Sequence, residues 1–489
     1  MTFKRLIMLL TFTGLAFALT ACGPNVPGQG GAAAGGGQAA ADGGEQAADA
    51  APELTGNRQQ IIVWGVNTLA IGSGNEEMID AWNSTHPDIE IITRSVPGAP
   101  GHETQDLTQL VAAIAAGDAP DVAVLNAPFI MEVAARGALE SLNDVISRTG
   151  FDLSQFYEYT IVNMTFEDRI WGLPSGVDTR MLYFNKRLFE EAGLDPNSPP
   201  RTWEQLLDYS ERLTIVEPNG ELSQIGFIPN FGNSWLYLFM LQNGGQMVSD
   251  DGRTVTLNTP QVVEALEFMV RGYDLLGGAE LVNAYVTAFA AQGGANHPLL
   301  TGEVAMIIDG NWAIGTYARF GADMIDDIGF TYAPTPTGTD FLTWSGGWAF
   351  GVPQGVRDMD AAFEVMSWLV TDGVLERNIG LSAYNEAEGL LNIPAFSASR
   401  IINAQLMDLY VNDVLPDHVQ SMIRFGTDLL EISHALPAHP LGQQLWAEHS
   451  RAIDAAIYRT MTPQEALDEA VARLQPEVDE FWDTFAGLD

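Results

Sequence analysis

Two kinds of side chain in this sequence are suited to holding a small molecule. Polar groups follow apolar segments: Asn67 and Thr68 stand after one, Asn126 ends another, and Asp178 precedes Arg180 by two residues. Amides, carboxylates and guanidinium groups make directional and often charge-assisted hydrogen bonds. The 11 tryptophans add flat apolar surfaces, which stack on rings. Together these residues suit a solute that has both apolar faces and polar groups at its edge.

No catalytic or metal-binding pattern accompanies them. The sequence has no G-x-x-x-x-G-K-[ST], no H-E-x-x-H and no G-x-S-x-G. His434 and His439 are close in sequence but lie among Pro and Ala, which favours a surface loop over a zinc site. The adjacent acids Asp326 and Asp327 could suggest a glycosidase, but 63 acidic residues make such pairs common by chance. We therefore predict a protein that is not an enzyme and has no cofactor and no metal.

Length, composition and net charge limit the classes of protein that this sequence can encode. A chain of 489 residues with 46% hydrophobic residues is long enough for two or more domains with substantial cores. Its formal net charge of −41 argues against nucleic-acid binding through a basic surface.

The N-terminus has the features of an export signal. Lys4 and Arg5 precede an apolar run over 6–19, which is too short to be a good membrane span. The following Leu19-Thr20-Ala21-Cys22 resembles the bacterial lipobox, and Cys22 is the one cysteine of the chain. We predict a signal peptide over 1–21, a lipidated Cys22 and a flexible Gly/Ala-rich tether over 22–57. A plain signal peptide or an incidental buried cysteine is the alternative.

No later apolar run reaches the length of a membrane-spanning helix. The expected location is thus the extracytoplasmic face of a bacterial cell membrane, with the N-terminal lipid as the only membrane contact.

After the tether, strands and helices are predicted to alternate. The apolar runs 61–66 and 121–125 and the segment 89–92 read as strands, with helices over about 76–82 and 107–117 between them. This β-α-β-α-β order predicts an α/β fold with a largely parallel sheet. Solutes bind beyond the carboxyl ends of such strands, which is where Asn67, Thr68 and Asn126 stand.

Helix starts are clear in the second part of the chain. Thr202 with Gln205 predicts a capping box. Thr259-Pro260 and Thr462-Pro463 each place a capping residue before a proline at the first helical position. Glu465, three residues after Thr462, adds the capping-box pattern to the second of these starts.

One long segment carries a family resemblance. It runs from Trp171-Gly172-Leu173-Pro174 through Asp178-Thr179-Arg180 and Leu182-Tyr183-Phe184-Asn185-Lys186 to Pro200-Arg201-Thr202-Trp203-Glu204. This stretch resembles the central signature of extracellular solute-binding protein family 1, the maltose-binding-protein-like carbohydrate receptors of ABC importers. Weaker similarities follow the family's order at 116–121, 302–312 and 346–353.

The resemblance implies a two-lobed periplasmic-binding-protein-like fold of type II, with the ligand cleft between lobes joined by a multi-strand hinge. It places lobe one at 58–178 with 349–390, and lobe two at 181–345 with 391–489. The hinge is expected near Asp178–Arg180, near Gly346–Gly347 and near Leu390–Pro394.

The resemblance also implies ligand roles. Asp178 and Trp312 match family positions that contact the sugar, and Trp446 matches a further aromatic position, although its spacing also fits a core helix. Trp235 fits a sugar platform or the core equally, and strand alternation puts Trp344 and Trp348 on one face. The complete predicted ligand-binding set is Asn67, Thr68, Asn126, Asp178, Arg180, Trp235, Asn311, Trp312, Trp344, Gly347, Trp348 and Trp446.

The predicted function is that of an extracytoplasmic receptor, a monomer that captures a mono- or oligosaccharide by hinge closure and delivers it to ABC transporter permease subunits. A receptor of the same fold for a non-sugar solute, such as a polyol or a glycerol-phosphate-like molecule, is the first alternative. A surface-anchored hydrolase or an adhesin is a more distant one.

Overall fold

The computed structural model describes residues 58–68, 70, 72–94, 107–287 and 294–486. The predicted signal peptide, Cys22 and the tether lie outside the described residues. No helix in the described ranges is both long enough and apolar enough to cross a membrane.

The strands of the described chain fall into two five-stranded sheets and two small pairs. They are β1 Gln59–Trp64, β2 Ile89–Arg94, β3 Val122–Asn126, β4 Thr165–Phe166, β5 Arg169–Ile170, β6 Leu173–Gly176, β7 Arg180–Asn185, β8 Ile215–Val216, β9 Leu222–Phe227, β10 Val304–Gly310, β11 Ile328–Thr331, β12 Thr343–Ser345, β13 Trp348–Gly351 and β14 Ser433–Ala435.

Helices cover both sheets. They are α1 Asn75–Thr85, α2 Leu107–Ala116, α3 Ile130–Ala135, α4 Asn143–Thr149, α5 Glu158–Asn163, α6 Lys186–Glu191, α7 Trp203–Leu213, α8 Leu236–Gln242, α9 Pro260–Leu275, α10 Ala279–Thr287, α11 Pro298–Thr301, α12 Ala313–Phe320, α13 Met359–Leu369, α14 Asp372–Ala387, α15 Arg400–Leu406, α16 Asp417–Leu429, α17 Gly442–Ile457 and α18 Pro463–Ala486.

The predicted starts of the three helices α7, α9 and α18 are confirmed. Thr202 and Gln205 form the reciprocal capping box at the start of α7. At α18 the Glu465 carboxylate accepts a hydrogen bond from the Thr462 backbone N–H, while the Thr462 hydroxyl accepts one from the Glu465 N–H. Thr259 occupies the N-cap position of α9 with Pro260 as the first helical residue, as predicted, although its side chain makes no capping hydrogen bond.

The first sheet has the strand order β2-β1-β3-β13-β6. The predicted β-α-β-α-β order is confirmed, and β1 is parallel to β2 and to β3. However, β13 pairs antiparallel with both β3 and β6. Since β13 is antiparallel to both of its neighbours, β6 runs in the same direction as β1, β2 and β3. Four of the five strands therefore share one direction, as expected for a largely parallel sheet, and only β13 is reversed.

The second sheet, in the order β11-β7-β10-β9-β8, is mixed as well. Strand β7 pairs antiparallel with β10 and β11, whereas β9 is parallel to β10. Every residue of β7 is buried, which matches the near-continuous apolar pattern of a strand covered on both faces.

Each sheet has its own hydrophobic core, and the fold is two-lobed. The first lobe is built on the first sheet with helices such as α1 and α13, and the second lobe on the second sheet with α7, α8, α9, α12 and α17. The chain passes between the lobes at 176–180, from β6 to β7, and at 345–348, from β12, which packs in the second lobe, to β13 of the first sheet. We call these two segments the hinge crossings.

The predicted lobe boundaries stay predictions. Ala398 and Leu430, from the range assigned to lobe two, pack in the core of the first lobe. Helix α18 contacts both cores: Leu474 packs with the second lobe, whereas Phe485 packs against a cluster on the other face of the first sheet.

The two hinge crossings touch at Gly347. Its φ of 120° lies in the region that side chains rarely adopt, and a Cβ there would lie 2.2 Å from the Gly176 carbonyl oxygen. Glycine is therefore required by both the backbone angle and the close approach.

We expect Gly347→Ala to lower the unfolding free energy by about 3 kcal/mol or more, because strain and overlap add. The control is Gly355→Ala, at a glycine with φ of 86° and no heavy atom within 4 Å of the added Cβ. It should cost only about 1 kcal/mol, from backbone strain alone. Equal costs in a denaturant titration would show that the contact between the crossings is not tight.

Candidate functional site

A buried arginine occupies the junction of the two lobes. Arg180 is the first residue of β7 and only 4% of it is exposed. Its guanidinium forms an ion pair with Asp178, and its Nε donates to the Asn233 side-chain oxygen at 3.1 Å. Burial lowers the pKa of Arg180, while the Asp178 carboxylate opposes that effect. Because arginine stays protonated in proteins, the junction contains a fixed positive charge.

Two carboxylates surround that charge. Asp178 lies on the first hinge crossing and also accepts the backbone N–H of Gly346, on the second crossing, at 2.7 Å. Asp309 accepts from the Asn233 side-chain amide at 2.7 Å, so Asn233 links Arg180 to a second acid. With two carboxylates near one guanidinium, the formal charge of this group of side chains is negative.

Tryptophans enclose the arginine. The Arg180 Cζ atom lies 3.4 Å from the ring centre of Trp344 and 4.9 Å from that of Trp312. Gly310 makes room for Trp312, because a Cβ at Gly310 would lie 2.0 Å from that ring. Such cation–π contacts stabilise a desolvated guanidinium. Trp312 is partly exposed, whereas Trp344 is buried.

The aromatic cluster continues through the second lobe. Trp235 stacks on Trp344 with ring centres 5.3 Å apart and meets Trp446 edge-on at 5.2 Å. Both Trp235 and Trp446 are partly exposed. Behind them, His449 stacks on Trp446, and burial lowers the pKa of His449 to about 3, so this imidazole is neutral.

Other residues of the predicted set lie in the first lobe. Asn126 at the end of β3 pairs with Trp348 at the start of β13, and Trp348 also pairs with Gly176. A cavity of about 150 Å³ at this edge of the first sheet is lined by Gly65, Val66, Ser175, Gly176, Trp348 and Phe396, among others. A larger cavity of about 420 Å³ lies elsewhere, among the loop 245–252, the segment 434–440 and Trp482.

Eleven of the twelve predicted residues divide into three groups, and Asn311 is described below. Asp178, Arg180, Trp235, Trp312, Trp344 and Trp446 are joined by direct contacts. Asn126, Gly347 and Trp348 lie together on the first-lobe side, at the end of the first sheet. Asn67 and Thr68 follow β1, where the Asn67 carbonyl accepts from Asn75 and the Thr68 hydroxyl lies 3.4 Å from that of Thr93.

Two predictions about individual residues need revision or refinement. Trp344 and Trp348 do not share a strand face, because the strand is broken at Gly346–Gly347 and the two rings pack against different lobes. The Asn311 side-chain oxygen accepts from the Thr179 N–H at 3.2 Å, so this amide fastens β10 to the first crossing. Its role toward a ligand, like that of the whole set, stays a prediction.

Several residues of this cluster were not in the predicted set. Asn233 stands in a polar Gly-Asn-Ser loop before Trp235, and that composition was the available signal. Asp309 ends an apolar strand, directly before the Gly-Asn-Trp motif. Tyr159 lies near Asp178 and Ser345, and burial raises its pKa above the usual range, so its hydroxyl keeps its proton. Nothing in the local sequence distinguished Tyr159 from a core tyrosine.

A second polar contact joins the lobes beside the aromatic cluster. Glu132, on α3 of the first lobe, is fully buried and its carboxylate accepts the backbone N–H of Gln443 at 3.0 Å. Gln443 lies in the first turn of α17, where the helix dipole favours a negative charge. Burial raises the pKa of Glu132, and the Gln443 N–H and Arg136 partly offset that effect.

Within the described ranges, no group of three or more His, Cys, Asp or Glu side chains is arranged to hold a metal ion.

Two α/β lobes, joined by crossing strands and carrying polar and aromatic side chains at the junction, define the class of two-lobed solute-binding proteins. The sequence profile of the bacterial extracellular solute-binding proteins matches residues 65–376. The chain belongs to that family.

Among curated proteins, the chain is similar to the sn-glycerol-3-phosphate-binding periplasmic protein UgpB of Shigella flexneri serotype 5b (strain 8401), with 32% identity over 168 residues. UgpB of Escherichia coli (strain K12) is 31% identical over the same length. Each alignment covers 33% of this chain and 37% of the relative, so it spans little more than a third of those proteins.

Among solved structures, CpMnBP1 with mannotriose bound is 25% identical, with a TM-score of 0.65 over 84% of this chain and 99% of that one. The sugar-binding protein MalE of Xanthomonas citri is 17% identical, with a TM-score of 0.65 over 88% and 99% of the two chains. The second similarity concerns the fold alone.

We expect Arg180→Met to lower the unfolding free energy by about 2 to 4 kcal/mol, because it leaves the partly buried carboxylate of Asp178 without its cation. In the double variant with Asp178→Asn, the loss of unfolding free energy should be at least about 1 kcal/mol smaller than the sum of the two single losses. The measurement is a double-mutant cycle in denaturant. The exposed pair Arg148–Asp360 is the control, and Arg148→Met should change stability by less than about 1 kcal/mol. If the free-energy changes of Arg180→Met and Asp178→Asn simply added, the two side chains would not be energetically coupled and the prediction would be wrong.

A pH dependence follows from Glu132. A carboxyl whose pKa is higher in the folded state binds more protons folded than unfolded, so its contribution to the unfolding free energy falls as pH rises above the unfolded pKa of about 4.3. Glu132→Gln removes this titration. The stability of the wild type relative to Glu132→Gln should therefore decline with rising pH and then level off, in denaturant titrations at several pH values. A pH-independent difference would contradict the raised pKa.

Proposed function

We propose that this protein is an extracytoplasmic receptor that captures a carbohydrate between its lobes and delivers it to the permease subunits of an ABC transporter. The observation that carries the proposal is the cluster of Trp312, Trp235 and Trp446, partly exposed around buried Arg180 at the lobe junction.

A sugar matches both surfaces of this cluster. Its C–H faces stack on tryptophan rings, and its hydroxyls pair with amides, carboxylates and guanidinium groups. Asn126 and Asp178 supply such groups, and both are partly exposed. CpMnBP1, which is similar over most of this chain, holds mannotriose. We extend that class of ligand, but not that particular sugar, to this chain.

The charge distribution favours an uncharged solute over a phosphorylated one. Arg180 is already paired with Asp178, and Asp309 follows through Asn233. A phosphate group at this place would face a net negative group of side chains. A glycerol-phosphate-like ligand is the second candidate because of the similarity to UgpB. It ranks second because that similarity covers only 33% of this chain.

Binding works through closure of the lobes. Each lobe has its own core, so the lobes can move as units about the two hinge crossings. A solute that contacts both lobes binds the closed form better, and this difference in affinity shifts the population toward closure. No covalent step is needed for this function.

The N-terminal sequence supports the location we propose. After cleavage before Cys22, lipid on this cysteine would anchor the protein, and the tether over 22–57 would let the lobes reach a permease. The protein acts as a monomer with a sugar ligand. Its membrane contact is through lipid only, and nucleic acid is not a partner.

Thermal unfolding in the presence of candidate solutes tests the ligand class. The panel is mannobiose, mannotriose, maltose, tagatose, glycerol and sn-glycerol 3-phosphate. A sugar present at 100 times its dissociation constant should stabilise the protein by about 2.7 kcal/mol, which raises the melting temperature by a few degrees. A shift with sn-glycerol 3-phosphate and none with any sugar would overturn the proposed class. The sugars are also analysed by chromatography after incubation with the protein, and conversion of any of them to product would indicate a hydrolase instead.

Substitution of Trp312 tests the stacking surface. Trp312→Ala should weaken binding of the sugar that gives the largest shift by about 10-fold or more, while Trp312→Phe, which keeps a ring, stays within about 3-fold. The control is Trp368→Phe, on α13 in the first lobe, where the ring packs against Trp82. Calorimetric titration gives the dissociation constants. Unchanged affinity in Trp312→Ala would remove this ring from the site.

A further inference from the structure

The lobes also touch at a point away from the hinge crossings. The Arg319 Nη2 atom donates to the Tyr384 hydroxyl at 3.2 Å, and the Arg319 Cζ atom lies 5.6 Å from the centre of the same ring. Arg319 is on α12, whose Ile314 and Tyr317 pack in the core of the second lobe. Tyr384 is on α14, which packs along α1 of the first lobe. The contact therefore joins the two lobes.

Helix α12 connects this contact to the arginine–tryptophan cluster. Trp312 stands at its N-cap, beside Arg180, and Arg319 lies seven residues further on, a rise of roughly 10 Å. Trp312, Gly315, Thr316 and Arg319 share one partly exposed face, whereas Ile314, Tyr317 and Ala318 are buried. A Cβ added at Gly315 would meet no heavy atom within 4 Å, so this face borders open space.

On the other side, Tyr384 is fastened to the loop that follows β1. A Cβ at Gly72 would lie 2.5 Å from the Tyr384 ring, so ring and loop are in tight contact. Two helical turns earlier on α14, Arg377 donates through Nε to the Ser73 carbonyl at 3.1 Å. The same loop begins with Asn67 and Thr68, two of the predicted ligand contacts.

We propose that Arg319 and Tyr384 are positioning residues that hold the cleft closed at the end of α12 remote from the hinge. In the closed form the pair ties the exposed face of α12 to the β1 loop, and it must break before a bound solute can leave. The pair therefore sets the dissociation rate more than the association rate. Its role in solute release rests on the function proposed above, whereas the tie between the lobes can be measured without a ligand.

Dissociation kinetics test the role in release. Mannotriose is the first probe, and the other sugars of the panel follow; release is recorded by tryptophan fluorescence in the full-length protein. We expect Arg319→Ala to speed dissociation about 10-fold with the association rate within about 2-fold, and Tyr384→Phe, which removes only the hydroxyl, to speed it about 3-fold. Arg319→Ala combined with Tyr384→Phe should be no faster than Arg319→Ala alone.

The matched control is Arg212→Ala. Arg212 lies 5.9 Å from the ring of Tyr209, but both residues are on α7, so this arginine–tyrosine contact is within one lobe. Its removal should leave the dissociation rate unchanged. Unchanged dissociation in Arg319→Ala, or additive effects of the two substitutions, would overturn the proposal even though the sugar binds.

Small-angle scattering without sugar separates this proposal from the proposed function. Arg319→Ala should have a larger radius of gyration than the wild type and Arg212→Ala, because loss of the tie favours open forms. If no sugar of the panel binds but the radius increases, the tie stands and the proposed ligand class fails. If the radius is unchanged and no sugar binds, both proposals fail.

Discussion

The rest of the structure depends on the buried charge of Arg180. A guanidinium that is removed from water must be paired and hydrogen-bonded, because its uncompensated burial costs several kcal/mol. Asp178 pairs with it from the first hinge crossing, Asn233 accepts from it in the second lobe, and the Trp344 ring covers it. These partners come from separate segments. Satisfying one charge therefore fixes the segments relative to one another.

The same group of contacts ties the hinge to the candidate binding surface. Asp178 accepts from the Gly346 N–H, so the carboxylate that neutralises Arg180 also holds the second crossing. Trp344 lies directly before Gly346–Gly347 and stacks on Trp235. A solute that displaced or strengthened any of these contacts would therefore change the conformation or the stability of the hinge crossings, about which the lobes move. Glu132 with Gln443 and Arg319 with Tyr384 then join the lobes at two further places.

Much of the fold follows from local physical chemistry. The period of apolar residues predicts β1, α1, β2, α2 and β3, and the capping pairs at 202–205 and 462–465 mark where helices begin, because backbone N–H groups there need side-chain acceptors. The signature around 171–204 indicated the family and the two lobes. The direction of each strand in its sheet was harder to predict from the sequence. The reversed direction of β13, which pairs antiparallel with β3 and β6, depends on the path of more than 150 residues between β6 and β13, which no local pattern encodes.

The sequence by itself determined the family, the alternation of elements and the types of residue suited to bind a sugar. Only the tertiary structure decided which of these residues meet. Trp344 and Trp348 look equivalent in sequence, yet the break at Gly346–Gly347 sends their rings to different lobes. Asn233 and Asp309 gain a role because β10 and the loop before α8 meet at Arg180. The physical reason is a difference of range. The local sequence shows which polar side chains follow a strand, but a buried charge must be paired by atoms within about 3 Å. Those atoms come from segments that are distant in the sequence, so only the tertiary structure identifies them.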